Sequence, residues 1–464
     1  MTEAGLAVLT PELLARYDRP GPRYTSYPTA PHFTEAFGEA AYREALARAA
    51  ERPGEPLSMY VHVPFCEHRC AYCGCNVVIA PHHGPEAAYL DAVERELDLL
   101  ARALGERRTL MQLHWGGGTP TYLTPAQCER LARAITARFP VAPGAEIAIE
   151  VDPTVTTAAH LETLAALGFN RISLGLQDLD PRVQEAVDRV QPMAMTRALV
   201  EKARGLGFAS VNIDLIHGLP YQTPEGFRET VRRVIAELAP DRVACFSYAH
   251  VPWIKPHQRR LEGLPLPRGW EKFRIFLAAA DEFLRAGYRF IGFDHFARPD
   301  DPLALALDTG GVHRNFMGYT VMPATDQIGV GVTAIGDIGG AYAANLRNLA
   351  RYQRAVAEGR LPVERGILRS DDDELRGAVI RRIICTLGVE WAWVRRRFGV
   401  EPLERFANAL EALRPMADDG LVELGPEGLR VTAPGRFFLR NVCMPFDARL
   451  AAASPDRPLY SRTV

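Results

Sequence analysis

An α/β fold, a partial (β/α)6 barrel, is what the sequence predicts, and three observations carry that prediction. Short apolar strand-like runs alternate with amphipathic helical stretches from residue 58 onward, the pattern of parallel strands joined by crossover helices. Six such units fit before residue 250, too few for a closed eight-unit barrel. Directly after the first strand, Cys66, Cys70, Cys73 and Cys75 fall within ten residues.

Taken in order, residues 1–45 read as an irregular arm, because RYDRPGPRYTSYPTAPHF at 16–33 is rich in Pro, Tyr and Arg and shows little periodicity. Residues 46–345 read as the barrel with its substrate loops. Its strands are expected at 58–63, 112–115, 146–151, 171–176, 211–216 and 242–248, with a further candidate at 288–293. Helical patterns lie near 86–104, 125–138, 156–167, 195–206, 224–237 and 269–286. The Gly-rich stretch 294–340 reads as a loop, and a loop that long in a compact domain is usually functional. Residues 346–464 form a mostly helical, winged-helix-like C-terminal domain, with GLVELGPEGLRVT at 420–432 as a hairpin.

Composition narrows the function. The chain has 464 residues, 47% apolar and 24% charged, ordinary values for a globular protein. Its 54 basic residues (51 Arg, 3 Lys) against 56 acidic ones leave a net charge of −2, so no basic field argues for nucleic acid. No apolar run approaches the ~18 residues of a membrane span. The start, MTEAGLAVLTPELL, lacks a basic segment before its short apolar stretch, so no secretory leader is expected and a cytoplasmic location follows. Eight cysteines in such a compartment are thiols. Nothing suggests a large exposed interface, so a monomer is expected.

The cysteine loop, CEHRCAYCGC, has the spacing C-x3-C-x2-C-x-C. Sulfur-rich ligation suits zinc or an iron–sulfur cluster. A structural zinc site normally uses two separated pairs, and no second pair follows here. Three thiolates at this spacing can hold three corners of a cubane and leave one iron open. A compact zinc knuckle and chance clustering are the alternatives.

Strand ends give a second signal, since reactive groups in parallel barrels gather at the C-terminal ends of strands. There stand GGGTP at 116–120, then Glu150 and Asp152, Gln177 and Asp178, Asp214, and Tyr248, Ala249 and His250. Any one alone would read as a turn or a helix cap. Their recurrence at one rim points to a site.

At the cysteine loop the sequence resembles the radical S-adenosylmethionine (SAM) superfamily. That resemblance implies a [4Fe–4S] cluster on Cys66, Cys70 and Cys73, with SAM on the open iron, and cleavage of SAM to a 5′-deoxyadenosyl radical. More narrowly, GPRYTSYPTA (21–30), YVHVPFC (60–66), CGCN (73–76), LHWGGGTPTYL (113–123), NIDLIHGLP (212–220), DHFARPDD (294–301) and HRNFMGYT (313–320) resemble the oxygen-independent coproporphyrinogen III oxidase family. The resemblance spans essentially the whole chain. It implies oxidative decarboxylation of two propionates of coproporphyrinogen III to vinyl groups, giving protoporphyrinogen IX in haem biosynthesis, with two SAM consumed.

The same resemblance carries site residues. Tyr60, Gly117, Glu150 and Ile335 match positions contacting the cluster-bound SAM. Tyr72, Gly118, Thr119, Gln177, Arg189, Asp214 and Ala249 match a second SAM position, which is either a cosubstrate site or part of the porphyrinogen pocket. Cys75 belongs to the motif without being counted as a cluster ligand. His62 faces the same side of its strand as Tyr60 and is either near the cluster or a buried strand histidine. The chain departs from the family at His217, where Tyr is common, and in MPFD at 444–447.

A substrate with four carboxylates calls for fixed cations, and Arg offers a bidentate fork. The candidates are Arg23, Arg298 and Arg314. Tyr24 and Tyr27 either stack on pyrroles or anchor the arm, with anchoring the better reading. The arm and the C-terminal domain are expected to close over the barrel mouth. A flavodoxin-like donor is implied by the family, and the terminal electron acceptor is unassigned. The main rival is a haem chaperone of the same superfamily, which typically has an aromatic in place of Cys75 and lacks the arm. A radical enzyme of haem breakdown or methyl transfer and a zinc-stabilised structural protein are weaker rivals.

Overall fold

A computed structural model describes residues 8–322, 326–450 and 460–463. The first seven residues, on which the leader expectation partly rests, lie outside the described residues.

Six strands run parallel and side by side in chain order: β1 (Leu57–Val63), β2 (Leu110–Gly117), β3 (Val141–Val151), β4 (Arg171–Gln177), β5 (Ser210–His217) and β6 (Arg242–Ser247). Leu57, Met59, Val61 and Val63 are all fully buried, as expected where helices cover the sheet. Those helices are α1 (Pro85–Leu104), α2 (Pro125–Thr136), α3 (Ala158–Ala166), α4 (Met193–Gly205), α5 (Pro224–Leu238) and α6 (Gly269–Arg285). Their starts are written locally: Thr124 with Gln127 and Thr157 with His160 form capping boxes, and Thr223 caps α5. Each crossover returns the chain to the same end, so every strand points its C-terminus at one rim.

The stretch 294–340 is more ordered than its glycine content implies, a correction to the loop reading. After β7 (Arg289–Gly292), β8 (His295–Ala297) lies antiparallel to β6, and β9 (Gln327–Val330) lies parallel to β1. β10 (Ile335–Ile338), β11 (Ala341–Asn345) and β12 (Val363–Leu368) continue antiparallel, giving one sheet of twelve strands. Runs of three to five residues are too short to show a period of two. The glycines here serve close packing: a Cβ on Gly329 would sit 2.7 Å from the Ile335 backbone. The buried Glu96 of α1 fastens this extension, accepting bonds from Gly331 N (2.7 Å), Asn345 Nδ2 (2.6 Å) and Tyr352 Oη (2.6 Å).

The arm carries two helices, Pro11–Tyr17 and Glu39–Ala50, so it is less irregular than its composition suggests. It is fastened along its length. Tyr24 Oη donates to Asp447 (3.0 Å), the Ala448 amide donates to Tyr27 Oη (3.0 Å), and Thr34 and Gly366 exchange backbone bonds (2.9 and 3.0 Å). The C-terminal part has the helices Asp371–Thr386, Trp391–Phe398 and Ala407–Asp418, with a small antiparallel sheet that contains the hairpin Val422–Leu424 and Gly428–Val431. Among the described residues no helix is long and apolar enough to cross a membrane.

Candidate active site

The cysteine loop leaves β1 at Pro64 and is pinned through its carbonyls by one later segment. His257 Nε2 bonds the Cys73 carbonyl (2.8 Å), Gln258 Nε2 donates to that of Tyr72 (3.0 Å), and Lys255 Nζ to that of Cys75 (3.0 Å). All eight cysteines are free thiols. Arg189 Nη1 donates to Cys70 Sγ at 3.7 Å and to Asp152 Oδ2 at 2.6 Å, while Thr119 Oγ1 lies 3.4 Å from Cys66 Sγ. A hydrogen bond from Cys75 holds the Cys73 thiol down to about 6, burial pushes Cys66 up to about 11, and the bond to Cys73 raises Cys75.

Behind the loop, Tyr60 Oη bonds His62 Nδ1 (3.1 Å), whose Nε2 reaches the Asn76 carbonyl (3.0 Å). His62 is therefore a buried, fully bonded histidine that braces the loop, and burial holds its pKa low. Tyr60, His62 and Ile335 line one cavity of about 300 Å³. Gly117, at φ 118°, could not carry a side chain, since a Cβ would lie 2.7 Å from the His62 ring. A Cβ on Gly118 would meet the Pro64 carbonyl at 2.6 Å.

Glu150 ends β3 with its carboxylate held by His114 Nε2 (3.0 Å) and the Gly117 amide (3.4 Å). Enclosure works to raise its pKa, yet those partners keep it below the usual range. Asp214 is bonded by Ser173 Oγ (3.1 Å) and Asn212 Nδ2 (2.7 Å), and burial with the Glu150 charge pushes it up to about 7. Gln177 has φ 69°, and its Oε1 is buried without a partner, an unsatisfied acceptor at a strand end. Gln258 Nε2 also donates to the Ala249 carbonyl (3.2 Å). Asp178 turns inward to Gln222 (2.5 Å) and Thr230 (2.8 Å), and so is structural.

A second cavity, of about 280 Å³, opens from Glu150 toward the arm. Phe246, Phe273, Phe276, Phe293, Phe316 and Phe437 give it flat apolar walls, and Arg23, Arg314 and Arg440 give it cations. Arg314 also braces the arm through the Tyr24 carbonyl (2.9 Å), with its Nε buried and unpartnered. Arg298 stands apart. β8 runs antiparallel, Ala297 pairs with Arg242 at the start of β6, and Arg298 is thereby carried to the opposite end of the barrel, where it bonds Asp300 (3.1 Å). Tyr24 and Tyr27 serve the arm's anchoring bonds.

Sequence reasoning missed His114, which holds Glu150, Asp294, His295 and Arg440, which line the second cavity, and Lys272, whose Nζ donates to the Tyr248 carbonyl at the end of β6 (2.9 Å). His114, Asp294 and His295 lay inside motifs already singled out. For Lys272 a signal existed: it is one of only three lysines in a chain with 51 arginines, and another, Lys255, holds the cysteine loop.

Among the described residues no three His, Cys, Asp or Glu side chains are gathered as a single metal ion needs. A multi-iron cluster brings its own bridging sulfides and takes thiolates round a wider ring. Free thiols on a pinned loop, with a guanidinium and a hydroxyl aimed at their sulfurs, fit such a cluster.

The sequence profile of the radical SAM superfamily matches residues 60–234, and that of the HemN C-terminal domain matches residues 370–438. The chain is 46% identical over 438 residues to the oxygen-independent coproporphyrinogen III oxidase of Salmonella typhimurium, covering 94% of this chain and 95% of that one. To the enzyme of the same name from Pseudomonas aeruginosa it is 42% identical over 455 residues, 98% of each chain. The solved structure of the radical SAM enzyme coproporphyrinogen III oxidase (HemN) from Escherichia coli superposes with a TM-score of 0.88 at 45% identity, covering 92% of this chain and 98% of that chain.

Proposed function

The chain belongs to the oxygen-independent coproporphyrinogen III oxidase family of radical SAM enzymes, and we infer that its aromatic cavity receives coproporphyrinogen III beside SAM held at the cysteine loop. It is an oxidoreductase of haem biosynthesis that uses a [4Fe–4S] cluster and SAM. In our reading two propionates become vinyl groups, giving protoporphyrinogen IX, with one SAM consumed at each.

The observation that carries this reading is the cavity running from Glu150, with six phenylalanines on its walls and three arginines among them. Aromatic walls suit pyrrole faces, and guanidinium forks suit propionates.

Cys66, Cys70 and Cys73 would hold the cluster, which would supply the low-potential electron for cleaving SAM. Arg189 and Thr119 stabilise the sulfur charge through the bonds described above. Glu150, kept ionised by His114 and Gly117, would accept a hydrogen bond from the amino group of SAM, while the missing side chains of Gly117 and Gly118 would let the backbone approach it. Tyr60 and Ile335 flank the same ligand. Tyr72 and Ala249, whose carbonyls share Gln258 Nε2, are assigned with Gln177 and Asp214 to the second SAM position. The arm and the C-terminal segment exclude water, Arg314 tying the arm to the barrel and Arg440 tying the C-terminal segment to the arm. The electron comes from a flavodoxin-like donor, and the reducing chemistry supports a cytoplasmic setting. The haem-chaperone alternative is not favoured, since Cys75 and the arm are both present.

The test is anaerobic turnover of coproporphyrinogen III with SAM and a reductant, cell extract supplying the terminal acceptor. Protoporphyrin and 5′-deoxyadenosine are expected from the wild type and absent from Cys70→Ser. Deoxyadenosine without protoporphyrin would move the substrate elsewhere, and haem binding without either product would favour the chaperone.

A further inference from the structure

We propose that Arg23, His217 and Arg440, which line the arm end of the aromatic cavity, form a carboxylate subsite with the Lys272 charge beside them outside the lining, holding a propionate that the reaction leaves intact. The inference rests on the functional reading above and deepens it, naming how the cavity fixes its substrate.

These four side chains come from distant segments and converge through the backbone. Arg23 Nη2 donates to the Ser247 carbonyl (2.8 Å) and Lys272 Nζ to the Tyr248 carbonyl (2.9 Å). The two acceptors are consecutive at the end of β6, and the charges of Arg23 and Arg440 both reach Lys272. Arg440 donates to the carbonyls of Gly21 and Pro22, immediately before Arg23. His217 faces Ser247 in the β5–β6 register, with its ring stacked on Phe276 (centroids 4.9 Å apart, 17° between planes). Its Nδ1 is buried without a partner in the cavity wall. The Lys272 stem covers Gly218, where a Cβ would lie 2.7 Å from its Cε.

Carbonyl oxygens supply dipoles but no charge, and among the described residues compensation is thin. Asp294 stands 4.0 Å from Arg23 and is shared with His295 at 2.7 Å. Asp18, the other carboxylate whose field reaches Lys272 and Arg440, is engaged by Arg462 at 2.6 Å. Burial, with Arg23 and Arg440, pushes Lys272 down to about 7, and burial with Arg23 pushes Arg440 down to about 9. Partly and fully buried cations this close together, with so little counter-charge, are costly unless an anion joins them. A carboxylate brings that charge together with two acceptors, one for the His217 ring and one for the cations.

The walls decide which carboxylate. Phe273, Phe276 and Phe437 flank the subsite, so its anion is attached to a large apolar body. Two of the four propionates react at the Glu150 end. The others survive both turnovers and need a place facing away from it. A subsite for a surviving carboxylate keeps the substrate in register for either step.

The experiment uses full-length, cluster-loaded protein, with iron content and thermal melting as folding checks. Binding of coproporphyrin III and of its tetramethyl ester is titrated by fluorescence, and KM and kcat are measured on coproporphyrinogen III. Lys272→Met should raise Kd for the acid and KM about tenfold, the worth of a hydrogen bond to a charged group. Ester binding should stay at the wild-type value and kcat should move little. His217→Phe, which keeps the stack on Phe276, should shift the acid in the same direction, and Lys272→Arg should restore most of the affinity. Both variants binding the acid as the wild type does, or losing acid and ester alike, would overturn the subsite. A wild type that itself fails to prefer the acid overturns the substrate reading beneath it.

Discussion

Arg189 and Asp152 form a buried ion pair, Nη1 to Oδ2 2.6 Å, and the same nitrogen reaches Cys70 Sγ at 3.7 Å. Burial opposes the charge on Arg189, but Tyr72, Asp152 and Cys70 together hold it firmly protonated. Replacing Asp152 by Asn keeps the shape and removes the one formal counter-charge that does not depend on a thiolate. Stripping one partner from such a pair typically costs about 3 kcal/mol. Asp152→Asn should therefore lower the denaturation midpoint of the cluster-free protein, with a smaller loss once thiolates bound to iron compensate Arg189. Equal losses in both forms would show that Arg189 does not sense the cysteine loop.

Gly117 gives a sharper probe of the SAM position. With φ at 118° and the His62 ring 2.7 Å from any added Cβ, Gly117→Ala strains the backbone and displaces His62 and the amide that bonds Glu150. Iron content should remain near the wild-type level, while SAM affinity by equilibrium dialysis should fall at least about tenfold, the worth of a lost 1.4 kcal/mol. Unchanged SAM affinity would remove Gly117 and the Glu150 clamp from the site.

How much of this was legible in the sequence depended on distance along the chain. The six parallel strands and the cysteine loop were, because apolar period, turn residues and cysteine spacing are local signals. The strands beyond residue 294 were not, since their identity as strands comes from pairing with β1, with β6 and with one another, which no local pattern encodes. Arg298 illustrates the same limit for the site: it stands three residues after His295, a cavity residue, yet the antiparallel sense of β8 carries it to the far end. Arg440 lies over 400 residues from the Gly21 and Pro22 carbonyls it holds, and only the closed structure joins them.

Cys75 is the cysteine whose role the motif leaves open. Its thiol bonds Cys73 and its carbonyl accepts from Lys255, so it shapes the loop from outside the triad. Cys75→Ser retains a donor at that position. Iron and labile sulfide per chain should stay close to wild type in this variant and drop by most of their value in Cys70→Ser. Equal losses in the two variants would make Cys75 a ligand.

Glu96 sets a pH dependence of stability unrelated to the chemistry. Its carboxylate is fully enclosed, and burial raises its pKa from 4.5 to about 7 despite donated bonds from Tyr352, Gly331 and Asn345. The folded chain thus holds a proton there between pH 4.5 and about 7 that the unfolded chain releases. Stability from this proton is fully present below the unfolded value and is lost as pH rises through the folded one. The slope approaches about 1.4 kcal/mol per pH unit inside that window. Melting followed from pH 5 to 8 should show the wild type losing stability as pH rises across this range. Glu96→Gln, which cannot titrate, should be less stable at every pH because its amide faces donors, and should lack that part of the slope. An identical slope in both proteins would place the titrating group elsewhere.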